Sequence, residues 1–239
     1  TLFRNMTYTG ATISNFLLNA TAGILIVAML LVQTGGGMSA QSAGFLTIGY
    51  AVAIVAFIRV GEKLLQRFGP RRPMIWGSLI VVAAIGCLMV TNLSLDAYKV
   101  FAVVGFTLFG LGLAFYATPS TDAALSALPD DQAGSGAGIY KMASSLGASF
   151  GVAISATVFT ALSGSGESTA WVEGVISHLG RQDNLAVRRA AFFALAINLL
   201  MAGAAIVSIM MTIPTRKRGE EEAPAEPVLA FTDPAAARR

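Results

Sequence analysis

Six times along the chain, a run of about 18 to 25 residues carries no ionisable side chain except close to one end. The runs cover residues 9–32, 43–60, 73–90, 98–117, 138–162 and 190–213. Crossing roughly 30 Å of hydrocarbon takes about 20 residues of α-helix. Inside lipid no water is present to pair backbone N–H and C=O groups, so a crossing segment must pair them within itself and is helical. A closed barrel would instead need strands of about 10 residues alternating between apolar and polar faces, and this sequence has no such pattern. The predicted fold is an all-α integral membrane protein with six transmembrane helices.

The rest of the composition agrees with that fold and removes other classes. Only 12% of the 239 residues are charged, about half the share of a soluble domain, which is too few to coat a water-facing surface. The net charge is +3 and the basic residues sit in short clusters between apolar runs, so no nucleic-acid partner is expected. Cys87 is the single cysteine and reads as a small thiol within an apolar span. No phosphate-binding loop ending in Gly-Lys-Ser/Thr occurs, and no Gly-x-Ser-x-Gly nucleophile turn. The glycines from Gly134 to Gly138 follow no strand, and His178 has no partner at metal-ligand spacing. The reading is therefore not an enzyme, with no metal and no cofactor.

Six crossings place both termini on one side. That side holds Arg4, Lys63, Arg67, Arg71, Arg72, Lys141 and the Arg216-Lys217-Arg218 cluster, and the other holds Lys99, Arg181, Arg188 and Arg189. Basic residues favour the cytoplasm, so a multi-pass protein of the cell membrane with both termini cytoplasmic is expected. Arg188 and Arg189 run against that rule. Residues 163–187 read as a flexible external loop. Residues 215–239, with Glu220-Glu221-Glu222 and several prolines and alanines, read as a disordered cytoplasmic tail. Thr1 is not an initiator methionine and no basic leader precedes the first span, so the chain is expected to begin within a longer protein.

Polar and aromatic residues inside the spans are the candidates for solute contact. Asn15 and Asn19 lie four apart on one helix face. Their amides need partners or a water-filled cavity, and they fit a solute-binding wall as well as helix-to-helix hydrogen bonding. Tyr50, Phe106, Phe109, Phe115 and Tyr116 could wall a flat apolar solute or simply pack. Gly110, Gly112, Gly147 and Gly151 allow close helix approach, the last two as a small-xxx-small pair. Arg59 and Lys141, just inside the cytoplasmic boundary, and Asp122, just past the fourth span, fit a gate or a snorkelling anchor. No Asp or Glu lies in the middle of a span, so any proton-carrying acid would lie elsewhere.

The segment Gly61-Glu62-Lys63-Leu64-Leu65-Gln66-Arg67-Phe68-Gly69-Pro70-Arg71-Arg72 resembles the cytoplasmic loop signature of the major facilitator superfamily, with Gln66 where that signature has an acid. Gly110-Leu-Gly-Leu-Ala-Phe-Tyr-Ala-Thr-Pro-Ser-Thr-Asp122, Ala133-Gly-Ser-Gly-Ala-Gly-Ile-Tyr-Lys-Met-Ala-Ser-Ser-Leu-Gly-Ala-Ser-Phe-Gly-Val-Ala153, the run from Thr9 to Asn19 and that from Arg59 to Gln66 are similar to the 14-helix drug:proton antiporter family within it, and to its quinolone and multidrug efflux members. The resemblance covers residues 2–214. It implies the C-terminal bundle of a major facilitator fold, made of two inverted three-helix repeats. In such a bundle the first helix of each repeat lines the cavity, the second meets the N-terminal bundle and the third faces lipid.

The expected function is the C-terminal half of a proton-coupled multidrug exporter working by alternating access. Its partners would be the lipid bilayer, an apolar or cationic drug-like solute, and an N-terminal half of six to eight helices. Asn15, Asn19, Tyr50, Phe109 and Tyr116 would contact solute. Arg59, Lys63, Arg67, Asp122 and Lys141 would form a cytoplasmic gate. The proton gradient, and acids in the N-terminal half to use it, are implied by the resemblance alone. Two other readings stay open: a carrier for another small solute, and a six-helix scaffold or self-associating half without transport.

Overall fold

The computed structural model describes residues 2–164 and 184–215. His178, Arg181, the Arg216-Lys217-Arg218 cluster, most of the expected external loop and nearly all of the expected tail lie outside the described residues. After a short turn at Leu2–Arg4, the helices are α1 (Met6–Ala20), α2 (Gly23–Leu30), α3 (Ala40–Phe45), α4 (Ile48–Phe68), α5 (Arg71–Leu88), α6 (Leu95–Leu125), α7 (Asp130–Gly164) and α8 (Leu185–Thr212). A π-helical turn, Leu31–Gly35, follows α2. Six helical stretches are long and apolar enough to cross a membrane: Met6–Gly35, Ala40–Phe68, Arg71–Leu88, Leu95–Leu125, Asp130–Gly164 and Leu185–Thr212. The described residues contain no strand.

Most helices outrun their apolar runs. α7 has 35 residues, about 52 Å of helix at 1.5 Å per residue. A helix leaving hydrocarbon for headgroups or water keeps its internal hydrogen bonds, so hydrophobicity ends before the helix does. The segment from Gly61, expected as a loop, is therefore helical to Phe68. Gly69 ends α4 in the left-handed region at φ 70°, which glycine enters without steric cost. Its N–H bonds the carbonyl of Leu65 at 2.8 Å. Pro70 then precedes α5, where its fixed φ suits a helix start. The first span is interrupted between α1 and α2. Thr21 turns its hydroxyl onto the carbonyl of Leu18 at 2.6 Å, and 3₁₀-type bonds replace the α pattern from Thr21 to Leu25.

The packing exchanges partners between two triplets. The first span (α1 and α2) packs on α7 and α8, the second and third helices of the other triplet, while α6 packs on α5 and α4. Each triplet crosses three times, so the second triplet enters from the opposite side and the two repeats are inverted. At one end of the bundle, Asn5 Nδ2 donates to the carbonyl of Ala127 at 2.6 Å and Arg71 donates to that of Met210 at 2.8 Å. The N-terminus, the α4–α5 and α6–α7 turns and the end of α8 therefore share that end. At the other end, Asn184 Nδ2 donates to Gly35 O at 2.8 Å. There Arg188, 91% buried, donates to the carbonyls of Thr91 and Leu93. Arg188 thus fastens the α5–α6 turn to α8.

Close approach happens at glycines. A Cβ on Gly151 would run into the carbonyl of Ala20, and one on Gly147 into that of Phe16. On the other triplet, a Cβ on Gly110 would meet the Tyr50 carbonyl and one on Gly61 that of Ala114. Gly77 and Gly112 face each other across α5 and α6, where a Cβ added to Gly77 would lie 2.5 Å from the Gly112 carbonyl oxygen and one added to Gly112 2.7 Å from that of Gly77. Gly147 and Gly151, the small-xxx-small pair of α7, meet α1 of this same bundle.

Gly151→Val should therefore lower the thermal stability of the detergent-solubilised protein by about 1–3 kcal/mol. Gly138→Ala, whose new methyl meets nothing within 4 Å, should leave the melting temperature unchanged or slightly raised. A thermal shift assay on both variants reads the difference.

Candidate functional site

A groove of about 430 Å³ opens between the first, second, fourth and fifth spans. Its walls include Asn15 and Asn19 from α1, Tyr50 from α4, Tyr116 from α6, and Tyr140 and Lys141 from α7. None of its lining residues comes from α5 or α8. This follows from the exchange packing. Each triplet's first helix is wedged against the other triplet, and its second helix leans out beside the gap.

The polar wall is held by a chain of hydrogen bonds. Asn19 Nδ2 donates to both the backbone carbonyl and Oδ1 of Asn15, each at 2.8 Å. Asn15 Nδ2 donates to the backbone carbonyl of Tyr140 at 3.2 Å, joining α1 to α7. The hydroxyls of Ser14 and Tyr116 lie 2.8 Å apart, joining α1 to α6, and Ser14 also bonds the Ala11 carbonyl at 3.0 Å. Tyr140 OH donates to Ser120 Oγ at 2.7 Å, joining α6 to α7. Asn15 and both tyrosines thus serve helix contact and groove lining together, while Asn19 lines the groove and bonds Asn15 of its own helix.

The residues singled out from sequence divide in three. Asn15, Asn19, Tyr50, Tyr116 and Lys141 come together in the groove. Phe109 is fully buried and lies behind Tyr50, the rings stacked with centroids 5.5 Å apart, so it fixes the tyrosine's plane from outside the groove. Phe106 is fully buried as well, and Phe115 meets Phe57 edge-on at 6.5 Å. Arg59, Lys63 and Arg67 recur every four residues along α4 and are exposed, forming a stripe beside the groove. The Arg67 guanidinium lies 5.2 Å from the centre of the Phe68 ring. Asp122 is exposed and accepts from the Ser126 hydroxyl at 3.3 Å. Lys99 and Asp96 form an ion pair at 3.0 Å at the other end of α6. No group of described residues could hold a metal ion.

Several polar residues escaped the sequence reading. Ser14, Ser120 and Tyr140 needed the helix register to show where they meet. Asn198, fully buried in α8, donates to Ser155 Oγ at 2.8 Å and to the Ala194 carbonyl at 2.7 Å, clasping α8 to α7. It was the single amide in the sixth apolar run. An amide so deep in a span signals a polar partner on a neighbouring helix.

Six apolar spanning helices around an open groove define a multi-pass membrane protein. The sequence profile of the Major Facilitator Superfamily matches residues 11–234, and the chain belongs to that superfamily, whose members are transporters rather than enzymes. Over 162 residues, 68% of this chain, it is 50% identical to the quinolone resistance protein NorB of Staphylococcus aureus strain MRSA252. It is 49% identical over the same length to the NorB proteins of strains JH9 and JH1. The aligned stretch is 35% of each relative's length, so the chain spans about a third of the curated proteins it matches.

A double-mutant cycle of Ser14→Ala and Tyr116→Phe should give a coupling energy of about 0.5–1.5 kcal/mol in detergent unfolding. The same cycle on Ser135 and Tyr116, which make no contact with each other, should give none.

Proposed function

We propose that this chain is the C-terminal six-helix half of a proton-coupled multidrug exporter of the quinolone type that works by alternating access. The observation that carries the proposal is the groove. It is built from the first two helices of each triplet and flanked by the two helices with the most exposed faces. α4 fully buries only Ala53 and Gly61. It presents Val52, Val55 and the Arg59-Lys63-Arg67 stripe outward. α7 presents Met142, Leu146 and Phe150 with Ser145 and Ser149 between them. Faces this apolar and rich in small residues suit a second helical bundle, and the groove would become a central cavity once that bundle closes it. The quinolone resistance proteins similar to this chain are about three times the aligned length, which leaves room for such a bundle.

In this reading Asn15, Asn19, Tyr50 and Tyr116 meet the solute, with Phe109 bracing Tyr50. The basic stripe of α4 and Asp122 close the cytoplasmic side against the partner bundle, where charge pairs near water break at low cost. Both termini are cytoplasmic. The end that joins Asn5, Ala127 and Arg71 carries Lys63, Arg67, Arg71 and Arg72, and clustered basic residues favour that side. The proton is carried by acids of the other half, since the described spans hold no carboxylate at mid-depth.

The test is accumulation of norfloxacin in cells that express the full-length transporter and lack other exporters. Accumulation should fall on expression and recover when a protonophore collapses the gradient. Arg67→Ala and Asp122→Ala should each slow efflux about two- to fivefold at unchanged membrane abundance. Wild-type rates in both variants would remove the gate.

A further inference from the structure

We propose that Lys141 receives a carboxylate of the transported solute, so that this half selects flat aromatic compounds bearing a carboxylate, zwitterions included, over compounds that are only cationic. The inference rests on the exporter reading and adds to it a specificity-determining residue.

The argument is an account of charges and donors in the groove. Lys141 is the one charged residue of its lining, which contains no Asp or Glu. Its ammonium makes no ion pair with a described residue, and the exposed carboxylate of Asp122 is engaged by Ser126 instead. Most neutral donors of the wall are already committed. Asn19 Nδ2 spends both protons on Asn15, and Asn15 Nδ2 spends one on the Tyr140 carbonyl. Tyr140 gives its hydroxyl proton to Ser120, and Thr121 gives its own to the Ala117 carbonyl at 2.9 Å. With Ser14 donating to the Ala11 carbonyl, the Tyr116 proton points to Ser14. The wall therefore offers a solute acceptor oxygens, aromatic faces, a few neutral donors such as the Tyr50 and Ser144 hydroxyls, and one cation with three donors.

A carboxylate entering this groove has one strong partner, and an ammonium-type cation has none of opposite charge. Tyr50, held in plane by Phe109, and Tyr116 give the flat face on which an aromatic ring rests. A cationic centre at the solute's far end then has to be met by acids outside the described residues. The Lys141 side chain is exposed, so its ammonium is free to meet a solute carboxylate, and a solute without one gains nothing from it.

The experiment compares norfloxacin, a zwitterion, with norfloxacin ethyl ester, which keeps the ring and the amine but lacks the carboxylate. Initial efflux rates of both are measured in proteoliposomes carrying the full-length transporter under an imposed proton gradient. The proposal expects Lys141→Gln to lower the rate ratio of acid to ester by about tenfold or more, the value of a charge-assisted hydrogen bond. Lys141→Arg, which keeps the charge, should retain most of the ratio. Lys99→Gln, at the far end of the bundle, should leave it unaltered. If Lys141→Gln slows both compounds equally, or neither, Lys141 is a gate or a membrane anchor and the proposal falls. If the unsubstituted protein exports neither compound, the exporter reading itself falls and takes this inference with it.

Discussion

Lipid gives helices no hydrophobic reason to associate, because the acyl chains are as apolar as leucine. What remains is van der Waals contact and hydrogen bonding, and both grow as backbones approach. This bundle is therefore built on places where a glycine lets one helix lie against another's carbonyl. Gly147 and Gly151 seat α1 on α7, Gly61 and Gly110 lock α4 and α6 together, and Gly77 and Gly112 do the same for α5 and α6. The contacts repeat on both triplets with exchanged partners, so one packing solution, used twice, produces the inverted architecture.

The groove is a consequence of that exchange. With α1 and α6 drawn inward, the outer faces of α4 and α7 are left with little to cover them, and the gap between the four helices stays open. Its wall is apolar over most of its area, with Asn15, Tyr116 and Tyr140 set into it. Their hydrogen bonds across three helices satisfy the buried groups and fix where each faces. The same bonds use up donors, so the site's character toward a solute is set as much by what the wall has spent as by which residues line it. The amides offer oxygen, and positive charge comes from Lys141.

Membership of the superfamily and the six-helix bundle agree at the level of the fold. The bundle carries a groove wall and, on α4 and α7, two faces with little to cover them. The Arg188 guanidinium is buried against the carbonyls of Thr91 and Leu93, and these bonds tie α8 to the α5–α6 turn.

The six crossings and their helical state were legible in the residues, because hydrocarbon thickness and unpaired backbone groups leave a lipid-spanning run no alternative. The glycine-rich character of the fourth and fifth spans was legible too, as was the pairing of Asn15 with Asn19, since four residues set one helix face. Helix ends were not, for hydropathy marks where lipid stops and α4 and α7 continue beyond it. Nor could periodicity alone say that Phe109 braces Tyr50, that Gly147 and Gly151 face α1, or that Ser14, Ser120, Tyr140 and Asn198 complete the hydrogen bonding. Those facts depend on which helix stands beside which and at what rotation. That is decided by contacts between residues more than a hundred positions apart, such as Ser14 with Tyr116 and Asn15 with Tyr140, and the local pattern of a single helix does not encode them.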